Sequence, residues 1–281
     1  MKRRIIAYIS DTHAGHMHGL ANPETILIAQ KKNGDLYEYH PKLNEIQKYL
    51  WGVYTDGIAE TSTLANGDEI VLIHGGDPTA GVKYIDALSE ITIENQVALA
   101  VANLEPWLKE GVKRMRIVAG TGSHEFNDGS ATGLIRRIFE KYKIDIKAVY
   151  HGMLNVDGFL IDYAHHGPGP GIRAWTRGNV ARHYTRSLMI QELANGDQPP
   201  DLVLRGHYHE RVKELVILGN YETWIFIAPS LCMPDAYTRQ VTRSIYRIRN
   251  GVTAFELVDG RLVDIHAYHR MVDIRTREII E

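Results

Sequence analysis

At 281 residues, with 32 basic against 34 acidic side chains and a formal net charge of −2, the chain is long enough for a sizeable core and lacks the basic excess of a polyanion-coating protein. Its single cysteine, Cys232, excludes both a disulfide framework and a thiolate metal cage. Fourteen histidines, in contrast, make an imidazole-rich metal site worth testing.

The basic start Met1-Lys2-Arg3-Arg4 precedes an apolar run that Asp11 and His13 interrupt too early for the core of a secretion signal. No stretch approaches the roughly 18 to 20 apolar residues of a membrane span. A soluble, cytoplasmic protein without a membrane partner is expected.

Ile5 to Ile9 reads as a buried strand delivering Asp11 and His13 to one side, since residues i and i+2 of an extended chain share a face. Residues 16 to about 40 form an insertion, in which Asn33-Gly34 between two β-favouring runs predicts a hairpin. Leu43, Ile46, Leu50 and Val53 at helical spacing predict the first long helix. Glu69 to His74 is a second strand, followed by Asp77. A helix from about Ser89 to Glu110 and a strand from Met115 to Ala119 come next, then His124 and a helix from Gly129 to Tyr142. This β-α-β-α-β-α order implies a largely parallel sheet, whose ligands bind beyond the carboxyl ends of its strands.

In the second half, the strand Phe159 to Ala164 leads into His165-His166. A basic, aromatic segment then carries Arg173, Trp175 and Arg177, and its latter part predicts a helix ended by Asn195-Gly196. Leu202 to Leu204 runs into Gly206-His207-Tyr208-His209, whose two histidines again share a side in an extended chain. Further strands are predicted at Val212 to Leu218, Trp224 to Ala228 and Arg243 to Arg249. Hairpin turns are expected at Asn250-Gly251 and Asp259-Gly260. With no repeat, low-complexity tract or linker, one domain spanning 1–281 is expected. Each motif alone has a plain alternative, loop histidines or capping acids; what separates them from chance is that they recur at successive strand ends.

In order, the strand ends carry Asp11-x-His13, Gly76-Asp77, Gly122-Ser123-His124-Glu125, His165 and Gly206-His207-x-His209. This ordered set resembles the calcineurin-like metallophosphoesterases. The opening Asp-Thr-His-Ala-Gly, the insertion and Gly-Thr-x-x-His look like the phage and prophage branch of that family. The resemblance implies an α/β fold, a four-layer α/β/β/α sandwich with a small hairpin insertion after the first strand and the trailing strands in the second sheet.

It further implies two divalent metal ions, manganese foremost, with iron, zinc or nickel also suited to a mixed nitrogen and oxygen donor set. Asp77 would bridge them. Asp11, His13 and His209 would bind the first ion, with Asp11 also at or near the bridge, and His165 and His207 the second. His124 would protonate the leaving oxygen or stabilise phosphoryl charge, oriented by Glu125. The family has Asn where this chain has Ser123, so Ser123, or Thr121, would offer an oxygen directly or through water, and the second ion should bind more weakly. His165 and His166 compete for one ligand role. His165 lies nearer the strand end; His166 would then contact phosphate or an outer carboxylate. Arg173 and Arg177 would clamp phosphate, and Trp175 would stack on a base or ring.

The implied function is hydrolysis of phosphate esters, as a phosphodiesterase or phosphatase whose nucleophile is a water activated between the metals. A DNA nuclease of the same fold and a non-catalytic binding module are the alternatives. The partner is a phosphate-ester substrate, nucleotide or nucleic acid included, and the oligomeric state is left open.

Overall fold

The computed structural model describes residues 1–127, 129–171, 173–235, 238–239 and 246–280. Its strands are β1 (Arg3–Ile9), β2 (Leu27–Gln30), β3 (Leu36–Tyr39), β4 (Glu69–His74), β5 (Arg114–Val118), β6 (Asp145–Val149), β7 (His151–Val156), β8 (Phe159–Ala164), β9 (Leu202–Arg205), β10 (Val212–Leu218), β11 (Tyr221–Ile227), β12 (Arg247–Val258) and β13 (Arg261–Asp273). The helices are α1 (Glu45–Ala65), α2 (Ile93–Lys109), α3 (Ser130–Glu140) and α4 (Asn179–Asn195). Among the described residues, no helix is long and apolar enough to cross a membrane.

Two sheets face each other. The first has the order β13-β12-β1-β4-β5-β6 and the second β10-β11-β9-β8-β7. In the first, β1, β4, β5 and β6 run parallel. In the second, β8, β9 and β11 do.

Alternation along the central strands explains the layering, because successive side chains point to opposite faces. Ile5, Ala7 and Ile9 of β1 join a core shared with α1, α2 and α3, whereas Ile6 and Tyr8 face the second sheet. Ile70 and Leu72 of β4 divide from Val71 and Ile73 in the same way. On the second sheet, Leu202 and Leu204 of β9 and Phe226 of β11 meet the first sheet. Val203, Ile225 and Ile227 point outward to a core containing Ala181 of α4. The result is helices, sheet, sheet, helix: the expected α/β/β/α sandwich.

The insertion folds as the expected hairpin, β2 pairing antiparallel with β3 around Gly34 at φ +93°. Helix α1 starts behind Asn44, whose side chain accepts from Gln47 N while Gln47 reaches back, a capping box. Helix α2 begins later than its apolar periodicity suggested, at the Thr92 cap.

Two sequence expectations are corrected, and a third falls partly outside the described residues. The trailing strands β12 and β13 extend the first sheet, with β12 antiparallel to β1, and only β10 and β11 join the second. Asn250-Gly251 is no turn but lies inside β12: Asn250 is buried and donates to Ser230 O, and Gly251 sits at φ +146° where a Cβ would meet Tyr268 O at 2.1 Å. The dipeptide is set by tertiary contacts rather than by turn chemistry. Of the strand expected at Arg243 to Arg249, residues 243–245 lie outside the described residues and β12 starts at Arg247. The turn at Asp259-Gly260 forms as expected, both residues having positive φ.

Candidate metal centre

Five parallel strands end on one side of the molecule, and each is followed by chemistry-bearing residues. β1 delivers Asp11 and His13, β4 Asp77, β5 Thr121 and His124, β8 His165 and His166, and β9 His207 and His209. The backbone turns sharply as it leaves the strands. Asp11, His13, Asp77, His207 and His209 all have positive φ, between 44° and 72°. They are five of the eleven non-glycine residues in that region among those described, and such backbone clusters where function over-determines the fold. The side chains therefore converge through left-handed turns, not through the alternation of an extended strand.

The donors fall into neighbouring groups. Asp11, His13 and His209 form one, with His13 Nε2 3.2 Å from His209 Nε2 and His209 Nε2 3.3 Å from Asp11 Oδ1. Asp11, Asp77 and His165 form another, with His165 Nε2 3.0 Å from Asp77 Oδ2. His165, His166 and His207 make a third, and His13, Asp77 and His124 a fourth. Asp77 lies between the groups, its Oδ2 also 3.9 Å from His13 Nε2. His207 and His209 consequently face different groups.

Small neighbours permit the approach. A Cβ on Gly206 would stand 2.2 Å from Ser10 Oγ and 2.8 Å from Asp11 Oδ2. Ser10 Oγ donates to Asp11 Oδ2 at 2.5 Å, and His207 N donates to the same carboxylate. Ser10 is a supporting residue that no sequence pattern had singled out. Buried His74 joins the two acid-bearing loops, its ring nitrogens meeting Thr12 Oγ1 at 3.1 Å and Gly76 N at 3.2 Å.

The electrostatics suit a cation. Asp11 and Asp77 are 0% and 2% exposed, and buried carboxylates are costly unless compensated. Burial alone would raise both acids, yet His209 beside Asp11 and His165 beside Asp77 outweigh it and hold both carboxyls below their ordinary range. Burial opposes a charge on His165, but the Asp77 hydrogen bond and the Asp11 charge raise it nonetheless. His13 and His207 are pushed down, by burial first and by neighbouring imidazoles (His124 for His13; His165 and His166 for His207), His207 to about 4, so both present neutral nitrogens. The donor separations of 3.0 to 3.3 Å match ligand atoms around a common ion at about 2.1 Å from each. Two carboxylates and neutral imidazoles without thiolate fit divalent ions.

The remaining expected residues divide. His124 joins the cluster, its ring centroid 4.5 Å from that of His13, and its Nδ1 donates to Ala80 O at 2.7 Å. Glu125 does not orient it. Its carboxylate turns away to Gly120 N, at 3.1 Å, and to Thr132 N, at 2.9 Å, in the first turn of α3, because those amides need an acceptor. Thr121, not Ser123, reaches the cluster: Thr121 Oγ1 is 3.2 Å from His207 Nδ1, whereas among the described residues the Ser123 hydroxyl bonds no cluster atom. Arg177 pairs with Glu210 at 3.2 Å, and Arg173 lies over the Trp175 ring, 5.6 Å from its centroid; neither enters the cluster. Outside the cluster, His16 lies 3.5 Å from Asp235 and His18 Nδ1 3.3 Å from Pro234 O.

The four layers and the donors at successive strand ends are the arrangement that the sequence resemblance implied. No protein-family model matches the chain, and no curated protein does. Solved structures similar to this chain include an archaeal phosphodiesterase, 14% identical, covering 96% of this chain and 99% of that one at a TM-score of 0.38. A metallophosphoesterase from Sphaerobacter thermophilus is 13% identical, with 96% and 89% covered and a TM-score of 0.35. A zinc complex of Vps29 from Entamoeba histolytica is 12% identical, with 96% and 99% covered and a TM-score of 0.33. Likenesses of this depth give no residue a role, which is left to the cluster's own geometry.

Proposed function

We propose that the chain is a calcineurin-like metallophosphoesterase, a metal-dependent hydrolase of phosphate diesters or monoesters. The observation that carries this reading is the pair of donor groups on either side of Asp77, gathered from five strand ends, with left-handed backbone at Asp11, His13, Asp77, His207 and His209. Asp11, His13 and His209 would hold one divalent ion, and His165 and His207 the other, with Asp77 facing both. Bound there, the ions would supply charge stabilisation for a phosphoryl group and acidify a water.

The chain's own groups do the rest. The Ala80 carbonyl fixes the His124 ring through Nδ1, leaving Nε2 without a protein hydrogen bond among the described residues. A proton carried at Nε2 is then available to a leaving oxygen beside the cluster. His166, exposed and adjacent to His207, would contact a phosphate oxygen. Arg177, tied to Glu210 next in sequence to His209, and Arg173 with Trp175 are the groups to test for substrate selection.

The test uses metal-free protein reloaded with Mn²⁺ and offered bis-p-nitrophenyl phosphate, p-nitrophenyl phosphate and single-stranded DNA. Metal-dependent turnover of at least one ester is expected, with His124→Ala slower by about 10²- to 10⁴-fold. Absence of turnover on all three, or His124→Ala as active as wild type, overturns the proposal.

A further inference from the structure

The loop after β5 brings the hydroxyl of Thr121, one of the two the sequence offered, into the cluster. Thr121 Oγ1 lies 3.3 Å from Asp77 Oδ2, 3.3 Å from His165 Nε2, 3.4 Å from His166 Nε2 and 3.2 Å from His207 Nδ1. A hydroxyl has one proton and can donate to only one of these four atoms. His165 Nδ1 faces Gly75 O at 2.8 Å, so Nε2 is the ring nitrogen turned toward Thr121. The separations to Asp77, His165 and His207, 3.2 to 3.3 Å, match the edges of a coordination shell: ligand atoms about 2.1 Å from one ion stand about 3.0 Å apart on an octahedron and about 3.4 Å apart on a tetrahedron.

We propose that Thr121 Oγ1, and not Ser123, is the oxygen ligand that completes the second ion's shell alongside Asp77, His165 and His207. This rests on the two-ion reading above. The backbone fixes the hydroxyl in place, since Thr121 N donates to Asp77 Oδ1 at 2.6 Å. The short helical turn Gly122–His124 then carries Ser123 past the site, its carbonyl packed against Gly81, before His124 returns to the cluster. The turn thus acts as a two-residue spacer between the oxygen donor and the histidine. A neutral hydroxyl is a weaker donor than a carboxylate or imidazole, so the second ion is the readily exchanged one.

Metal-free wild type and the variants Thr121→Val, Thr121→Ser and Ser123→Ala are titrated with Mn²⁺ by calorimetry and by electron paramagnetic resonance, with circular dichroism confirming the fold. Thr121→Val keeps the shape and removes the oxygen. It is expected to weaken the second binding event about tenfold or more, leave the first unchanged, and lose the spin-coupled signal of paired ions. Thr121→Ser and Ser123→Ala are expected to bind like wild type. Two ions bound equally well by wild type and Thr121→Val, or a second event weakened by Ser123→Ala, overturns the threonine assignment alone. Wild type that binds fewer than two ions overturns the two-ion reading and this assignment with it.

Discussion

His13 Nε2 and His209 Nε2 stand 3.2 Å apart, though 196 residues separate them along the chain. Burial and the neighbouring imidazoles keep His13 neutral, and Asp11 Oδ1 lies 3.3 Å from His209 Nε2. Nitrogens held so close with a buried carboxylate between them favour a shared cation, and a ligand that binds only the folded state stabilises it.

Divalent metal should therefore raise the unfolding midpoint. At a free concentration about 100 times the dissociation constant the gain is about 2.7 kcal/mol, or about 5 to 10 °C for a chain of this size. Differential scanning fluorimetry with Mn²⁺ and then with excess chelator measures it. The shift should reverse with chelator and shrink in His209→Ala; a midpoint indifferent to metal and chelator contradicts the site.

Gly206 offers a steric test that leaves every donor in place. Its φ is not in the left-handed region, so alanine is tolerated by the backbone but not by Ser10 Oγ and Asp11 Oδ2, at 2.2 and 2.8 Å from the new methyl. Gly206→Ala should displace the Asp11 carboxylate and weaken metal binding about 10- to 100-fold, as loss of a supporting contact does. Its far-ultraviolet circular dichroism should remain native. Unchanged metal affinity in this variant would falsify the packing account of the site.

Much of this was legible in the sequence because apolar runs such as Ile5 to Ile9 and Leu202 to Leu204 are buried on both faces and end abruptly in Gly, Asp or His. Such punctuation marks a parallel strand and its functional end at once. The strands β6 and β7 were not legible, since Tyr150 alone links them and each belongs to a different sheet. Asn250-Gly251 has the letters of a hairpin turn, yet its meaning comes from Ser230 and Tyr268, which only the fold brings near. The sequence left Ser123 and Thr121 as alternative oxygen donors, and the short helical turn brings the Thr121 hydroxyl, not that of Ser123, to the cluster. Adjacency suggested Glu125 as the orienter of His124, and the needs of α3 decided otherwise.

Glu125 and His124 should accordingly separate stability from turnover. Glu125 is 1% exposed and serves Gly120 N and Thr132 N. Glu125→Ala leaves buried donors unsatisfied, which costs about 1 to 3 kcal/mol each, while the Ala80 carbonyl still holds the His124 ring. His124→Ala should do the opposite, keeping the unfolding midpoint and losing kcat. Urea unfolding and kcat measured well below the midpoint distinguish them. A native midpoint for Glu125→Ala with a kcat as low as that of His124→Ala would return Glu125 to an orienting role.

His269, outside the candidate donor groups, predicts a pH dependence of its own. Its Nε2 meets Thr253 Oγ1 across the β12–β13 pair at 2.8 Å, and burial, with Arg211 and Arg249 adding to it, pushes the imidazole down to about 3 from 6.5. Above pH 6.5 the ring is neutral in both states and its stabilising contribution is complete. As the pH falls below 6.5 the unfolded chain binds a proton that the folded chain refuses, so stability drops until the folded ring titrates near 3. The slope from this one group is at most about 1.4 kcal/mol per pH unit. His269→Gln removes that proton while keeping a side chain able to bond Thr253. Urea midpoints measured from pH 7 to 4 should fall less steeply in His269→Gln than in wild type, by close to one proton. Parallel slopes would mean that His269 charges freely in the folded chain.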